Sequence, residues 1–327
     1  MNTNRMIFAV LNMVWLFSAG LIVAEEKKMP KGIQIAKYAP TSGSFPACTH
    51  IVFSGKTEIV TANDALFYRT DSKSPFRKSA IHGLKDAHAV VFNPHNQLFY
   101  ATDTGNHRLI TFRDPAVAEV QDSMSSLADV KLVRPHDIVF DESTGWLYSI
   151  NPDGRQVFRF KEDGKSAGVL DLPSNFRYSR ALTIVDGRLY VIGSSAGAVV
   201  EVVDFGKQEY KVHNSFEKKK DAPAGSWKST GLVLNDVDFF DGYWYATSYF
   251  CPSYAAGNDC DENKFIRFKT WQDLKNGTWE DLSHRLPPRI VPYYLTPHDD
   301  ALFIAVFNHE ERGVSAGVYQ LTTSESE

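Results

Sequence analysis

The stretch HAVVFNPHNQLFYATDTGNHRLITF, His88–Phe112, decides how the rest of the chain is read. Its apolar runs, HAVVF, LFYATD and HRLITF, are too short for helices and rich in β-branched and aromatic residues. NPHNQ and TGN part them with residues that favour tight turns. The pattern predicts three strands joined by hairpins. From His136 to Phe160 it recurs as HDIVF, DESTG, WLYSIN, PDG and RQVFRF. Four looser copies follow the same template. They begin at His50 (HIVFSGKTEIVTANDALFYRT), Arg180 (RALTIVDGRLYVIGSSAGAVVEVVD), Asn235 (NDVDFFDGYWYATSYF, continuing to KFIRFKT) and Pro292 (PYYLTPHDDALFIAVFN, continuing to GVYQLT). The copies start roughly 40 to 60 residues apart, the period of a four-stranded repeat unit.

No such unit can bury both of its faces alone. The sequence therefore predicts an all-β fold, a six-bladed β-propeller of four-stranded antiparallel blades around a central channel, with residues 25–327 as one domain. The last copy runs out after its third strand, GVYQLTT. GIQIAKYA, near the N-terminus, alternates like a strand and belongs to no complete unit. It is expected to supply the outer strand of the last blade, joining the two ends of the chain and covering an open edge. The stretch PAVAEVQDSMSSLADV after Asp114 reads as a short helix within a connection.

The segment ATDTGNHRLITF, Ala101–Phe112, resembles the core of an NHL repeat, and the chain after residue 24 resembles six-bladed NHL-type propellers. Gluconolactonases, paraoxonase-like esterases, strictosidine synthase-like proteins and the peptide α-amidating lyases share that shape. The resemblance implies the fold far more than the function. It is carried strongly by only two of the six units.

The 327 residues include 43% hydrophobic and 13% aromatic side chains, enough for a large core, and carry a net charge of −4. That balance argues against nucleic acid as a partner, since phosphate binding needs a basic field. The N-terminus reads as a secretory signal peptide over residues 1–24. Arg5 is followed by the apolar run Met6 to Val23, with small Ala24 ahead of EEKK. The alternative is an uncleaved anchor, because the run is almost long enough to span a bilayer. The expected location is secreted, periplasmic or extracellular, with no stable membrane insertion once the signal is removed. Of the three cysteines, Cys251 and Cys260 are then expected to form a disulfide across CPSYAAGNDC, leaving Cys48 as a buried thiol. Asn276-Gly-Thr fits a glycosylation acceptor.

The residues opening the six inner strands are His50, His88, His136, Arg180, Asn235 and Tyr293 or Tyr294. All are polar or amphipathic, and all are expected at one mouth of the channel. Two chemistries fit. In the first, His50, His88 and His136 hold one divalent metal. Three imidazoles with an open position suit Zn²⁺, and the metal would polarise an oxygen or acidify a water. In the second, metal-free version, His136 is a general base, Arg180 grips a carboxylate, and Tyr293 or Tyr294 moves a proton. That set suits β-elimination from a uronate sugar. The amidating lyases, which combine zinc-binding histidines with a Tyr and an Arg, imply related chemistry. The lactonase branch implies Ca²⁺ on oxygen ligands, for which Asn235, Asp236 and Asn151 are the candidates and the candidate substrate contacts. The expected function is a lyase or hydrolase acting on a small or carbohydrate-like substrate. The alternative is a non-catalytic propeller that binds a glycan or a protein. His95 and His298 fall in turns at the opposite face, and His107 reads as a turn residue.

Overall fold

Strand β1 (Gly32–Ala39) pairs not with its neighbours in sequence but with the last strand of the chain, β26 (Gly317–Ser324), antiparallel from Gly32 opposite Ser324 to Ala39 opposite Val318, with a bulge between Lys37 and Ala39. In this computed structural model, residues 32–39, 45, 47–162, 164, 167–176, 178–194, 196–215, 221, 232–248, 263–287, 290–307 and 316–324 are described. They form six four-stranded antiparallel sheets. The first blade is β2 (Cys48–Ser54), β3 (Thr57–Ala62), β4 (Ala65–Arg69) and β5 (Arg77–Lys78). The second is β6 (Ala87–Asn93), β7 (Leu98–Asp103), β8 (Arg108–Phe112) and β9 (Asp122–Met124). After a small hairpin, β10 (Ser126–Leu127) and β11 (Val130–Lys131), the third is β12 (Ile138–Asp141), β13 (Trp146–Asn151), β14 (Gln156–Phe160) and β15 (Ala167–Asp171). The fourth is β16 (Ser179–Val185), β17 (Arg188–Gly193), β18 (Ala198–Asp204) and β19 (Glu209–Asn214). The fifth is β20 (Leu234–Phe240), β21 (Tyr243–Ser248), β22 (Lys264–Phe268) and β23 (Glu280–Asp281). The sixth is β24 (Val291–His298), β25 (Ala301–Phe307), β26 and β1.

The six inner strands touch in a closed series: β2 with β6, β6 with β12, β12 with β16, β16 with β20, β20 with β24, and β24 back to β2. This is the expected six-bladed propeller, and β1 is the outer strand that closes it. Middle strands are buried on both faces, which is why they read as continuous apolar runs. On β3, Ile59 packs toward the second blade with Val90 and Phe99, while its neighbour Val60 packs toward the sixth with Phe303 and Val318. The alternation of a strand thus fills two inter-blade cores at once. Among the described residues no helix is long and apolar enough to cross a membrane.

Two expectations meet the structure differently. The stretch read as a helix after Asp114 is instead turns, then β9 and the β10–β11 hairpin. Its apolar residues Val117 and Val120 are exposed, so no helix face is buried there, while β8 needs an outer partner and takes β9. Cys48 is a fully buried free thiol, as expected, and burial pushes it up to about 12. The signal segment, Cys251 and Cys260 lie outside the described residues.

Removing β1 strips β26 of its partner. A chain lacking Gly32–Ala39 is expected to melt at a lower temperature and to self-associate through the bared edge. Thermal unfolding beside size-exclusion chromatography checks this, and an unchanged melt from a monodisperse species would contradict it.

Candidate active site

Each inner strand enters its blade with one residue too many. In β2, Cys48 pairs with Ala62 and His50 with Thr61, so Thr49 has no opposite number. Arg180 is the extra residue in the fourth blade and Asn235 in the fifth. In β6 the pair His88–Ala89 spans one residue of β7, and in β24 Tyr293–Tyr294 spans one of β25. His136 and Asp137 exchange hydrogen bonds with Ile150 in the same way. Such bulges re-aim side chains at the rim of a sheet. Two series result. Thr49, His88, His136, Arg180, Asn235 and Tyr293 occupy one station, and His50, Ala89, Asp137, Ala181, Asp236 and Tyr294 the next.

His50 is therefore not the equivalent of His88 and His136; Thr49 is. The expected alignment is displaced by one residue in the first blade, because a bulge leaves no mark in sequence. Of the two tyrosines, Tyr293 holds the shared station.

The first series converges at the channel mouth. The His88 and His136 rings lie 4.1 Å apart between centroids, inclined by 32°. His88 Nδ1 is 2.9 Å from the Asp86 carbonyl oxygen. A carbonyl only accepts, so Nδ1 carries the proton and Nε2 keeps its lone pair. Asp86 thus orients His88 through its backbone; its carboxylate is 3.6 Å away. The Arg134 carbonyl faces His136 in the equivalent place but without hydrogen-bond geometry, so His136 Nδ1 is buried without a partner. His136 Nε2 is 3.4 Å from the Tyr178 hydroxyl. The Arg180 guanidinium lies 4.9 Å from the Tyr178 ring centre and 5.5 Å from that of Tyr293, and donates to Asn235 Oδ1 at 3.2 Å.

Asp86, Arg134 and Tyr178 each stand two residues before a member of the first series and share its left-handed backbone, with φ of 53°, 53° and 62°. Such conformations disfavour side chains and gather at functional sites. Tyr178 and Arg134 were not among the residues expected from sequence. The signal was available: both sit at one fixed offset from aligned positions.

The second series builds the channel wall. The Tyr294 hydroxyl crosses to the far blades, donating to the Arg180 carbonyl at 2.7 Å and lying 3.3 Å from that of His136. Asp137 accepts from its neighbour Ile138 and from Leu182 of the next blade, both at 2.7 Å. Asp236 does the same with Val237 at 2.8 Å and Leu295 at 2.7 Å. Both are clasps between blades. Asn151 accepts from the Val133 N–H and donates to the Lys131 carbonyl, fixing the approach to His136. Asn235 also donates to the Pro292 carbonyl. The oxygens considered for Ca²⁺ are thus held by backbone groups or by Arg180. Among the described residues no group of three or more His, Cys, Asp or Glu side chains is arranged to hold a metal ion. The His88 and His136 rings pack against each other at a 32° tilt, and the His50 ring packs edge-on against Tyr294 at 5.7 Å. The three-histidine zinc set does not fit this arrangement.

Burial governs the charges. It lowers His50 to about 4. It also lowers His88: Asp86 opposes the shift through its charge and its carbonyl, and Arg180 and Arg134 add smaller pushes on the side of burial. It holds His136 well below the usual range, with His88, Arg180 and Arg134 adding to it. Burial also opposes the charge of Arg180, but a guanidinium holds its proton far above neutral pH, and the tyrosines around it shift it further upward. Tyr293 is pushed up to about 12 by burial, against the pull of Arg180. The site thus presents neutral imidazoles, protonated phenols and one deeply set cation. At the other end of the inner strands, a cavity of about 350 Å³ is lined by residues including Phe53, Phe92 and His298, so His298 lies at the opposite face as expected.

No family model matches the chain, and no curated protein matches it in sequence. Solved structures share the fold. A candidate gluconolactonase aligns with a TM-score of 0.61 at 16% identity, covering 90% of this chain and 93% of its own. A luciferin-regenerating enzyme gives 0.60 at 12%, covering 90% and 98%. A catalytically inactive histidine-to-alanine variant of virginiamycin B lyase from Staphylococcus aureus, with quinupristin, gives 0.56 at 10%, covering 89% and 99%.

Tyr294→Phe leaves the two inner carbonyls unsatisfied and is expected to cost about 1–3 kcal/mol, read as a lower melting temperature. Tyr293→Phe is expected to leave the melt unchanged. Asp238, buried beside Asp236, is raised to about 7 by burial from an ordinary 3.8. The folded state therefore binds more protons than the unfolded one between those values, so this group's contribution to stability falls as pH rises through that window. Asp238→Asn, which keeps the oxygen that accepts from Phe239, is expected to raise the melting temperature at pH 8 and to narrow its advantage toward pH 4. Melts of both proteins across pH check this; parallel curves would contradict it.

Proposed function

We propose that the protein is an exported lyase that eliminates across an anionic, carbohydrate-like substrate of the uronate class. One observation carries the reading: Arg180 is set among tyrosines beside a neutral imidazole pair, and one imidazole of that pair has its tautomer fixed. β-Elimination next to a carboxylate needs that combination. The negative group must be neutralised before the neighbouring C–H becomes acidic, and Arg180 supplies a planar, permanently charged partner for it. A base must then be unprotonated at neutral pH, which the lowered His88 and His136 satisfy.

His88 Nε2 takes the C–H proton. The electron pair forms the C=C bond, the C–O bond to the leaving group breaks, and the phenol of Tyr293 gives its proton to the departing oxygen. Tyr293 suits that role because it stays protonated. The new imidazolium sits beside His136, Arg180 and Arg134, whose presence favours handing the proton on. His136 holds the Tyr178 hydroxyl, which faces Arg180 and orders the carboxylate end. Tyr294 is spent on backbone carbonyls and serves as a support.

The names of the fold neighbours support an enzyme, among them a lyase and a luciferin-regenerating enzyme, while the low identities leave the substrate to the site itself. Export rests on the run Met6 to Val23 behind Arg5.

Incubation with a panel of uronate polymers is expected to yield unsaturated products, with Arg180→Gln and His88→Ala each losing activity by about 100-fold or more. A base works only when neutral, so the rate is expected to rise with pH through the lowered histidine range and to level off below 6.5. Binding of a polymer without unsaturated product would leave a glycan-binding propeller as the better account. An acid limb above 6.5 would remove the neutral pair from the mechanism.

A further inference from the structure

Arg134 touches no reacting group in the elimination as written and only lends its charge near the imidazole pair, yet the structure goes to some length to place it. Its backbone lies in the left-handed region at φ 53°, a conformation that a long side chain disfavours. Both flanks are pinned. The Arg134 N–H donates to His107 Nδ1 of the second blade at 3.1 Å. The carbonyl of the next residue, Pro135, accepts from the Thr104 hydroxyl at 2.6 Å. The preceding N–H, of Val133, donates to Asn151 Oδ1 of the third blade at 2.9 Å. Two blades thus hold one strained residue, the pattern of preorganisation rather than of a loose turn.

The side chain differs from the backbone. Arg134 is half-buried, and among the described residues no hydrogen bond or ion pair engages its guanidinium. Its charge is felt at His88 and at His136, as that of Arg180 is. Arg134 also stands two residues before His136, the station from which the Asp86 carboxylate comes to 3.6 Å of His88 and the Tyr178 hydroxyl to 3.4 Å of His136, so two arginines border one imidazole pair, and the acidic group that bears on His88 from the second blade is Asp86. A single carboxylate is met by Arg180, which also holds Asn235. Nothing in that step needs a second cation.

We propose that Arg134 is a second anion contact and that the substrate carries two acidic groups on neighbouring units. One group, beside the reacting carbon, lies on Arg180; the other, on the adjoining unit, lies on Arg134. The substrate class is then an acidic oligomer rather than a lone acidic monomer. This rests on the uronate reading above, and the test separates the two.

Isothermal titration of the full protein with galacturonic acid, which has one carboxylate, and with saturated digalacturonic acid, which has two, reads both. The dimer is expected to bind about 10-fold or more tighter than the monomer, the scale of one added charge-assisted bidentate contact. Arg134→Gln is expected to remove that preference and leave monomer binding unchanged, while Arg180→Gln weakens both. Arg134→Gly, which relieves the left-handed backbone, is expected to raise the melting temperature and still lose the preference; a purely structural Arg134 could not give that split. Equal binding of the two probes to the wild type, or a preference surviving in Arg134→Gln, overturns the second contact alone. Binding of neither probe overturns the uronate reading and this proposal with it.

Discussion

An extra residue at the head of every inner strand is the constraint on which the site depends. A bulge frees backbone groups from the ladder, and these must find partners where water is scarce. The Thr61 hydroxyl takes the His88 carbonyl at 2.8 Å, and the Thr247 hydroxyl takes that of Tyr293. Tyr294 takes those of Arg180 and His136. Hydroxyls from a neighbouring or opposite blade thus satisfy the bulge carbonyls. The same bonds fix the side chains that the bulges turn toward the channel. Architecture and chemistry share one device: the bulge that aims His136 also calls for Tyr294 behind it.

Burial then decides the charge states. Imidazoles in that wall are neutral, phenols keep their protons, and Asp137 and Asp236 accept from two backbone N–H groups each, with no ion pair to a cation among the described residues. Only arginine stays charged under such conditions, because its guanidinium holds its proton far above neutral pH. A site with a neutral base, a protonated phenol and a fixed cation is what an elimination beside a carboxylate requires, and desolvation sets those charge states.

The fold was legible in sequence because each blade repeats its turns. NPHNQ and DESTG mark the same hairpin, and the orphan strand GIQIAKYA could be assigned by elimination to the blade that lacked one. The station of His136 was legible for the same reason, as were Arg180 and Asn235. His50 was misaligned because a one-residue bulge has no composition of its own: CTHIVF and AHAVVF look alike, and only pairing shows that Thr49, not His50, matches His88. Tyr178 and Arg134 escaped because they belong to connections, where apolar periodicity is silent. The stretch after Asp114 has helical composition, but the open backbone edge of β8, which needed a partner, outweighed it.

The central claim is that a neutral imidazole pair, with the tautomer of His88 fixed, faces Arg180 at the channel mouth. Its most direct test is a pH titration of the ring nitrogens of His88 and His136 by NMR on ¹⁵N-histidine-labelled protein, with single His→Gln variants for assignment. The account predicts both rings neutral at pH 6.5, with the His88 proton on Nδ1, and protonation only at lower pH. A His88 or His136 that is cationic at pH 6.5, or a His88 proton on Nε2, would contradict it.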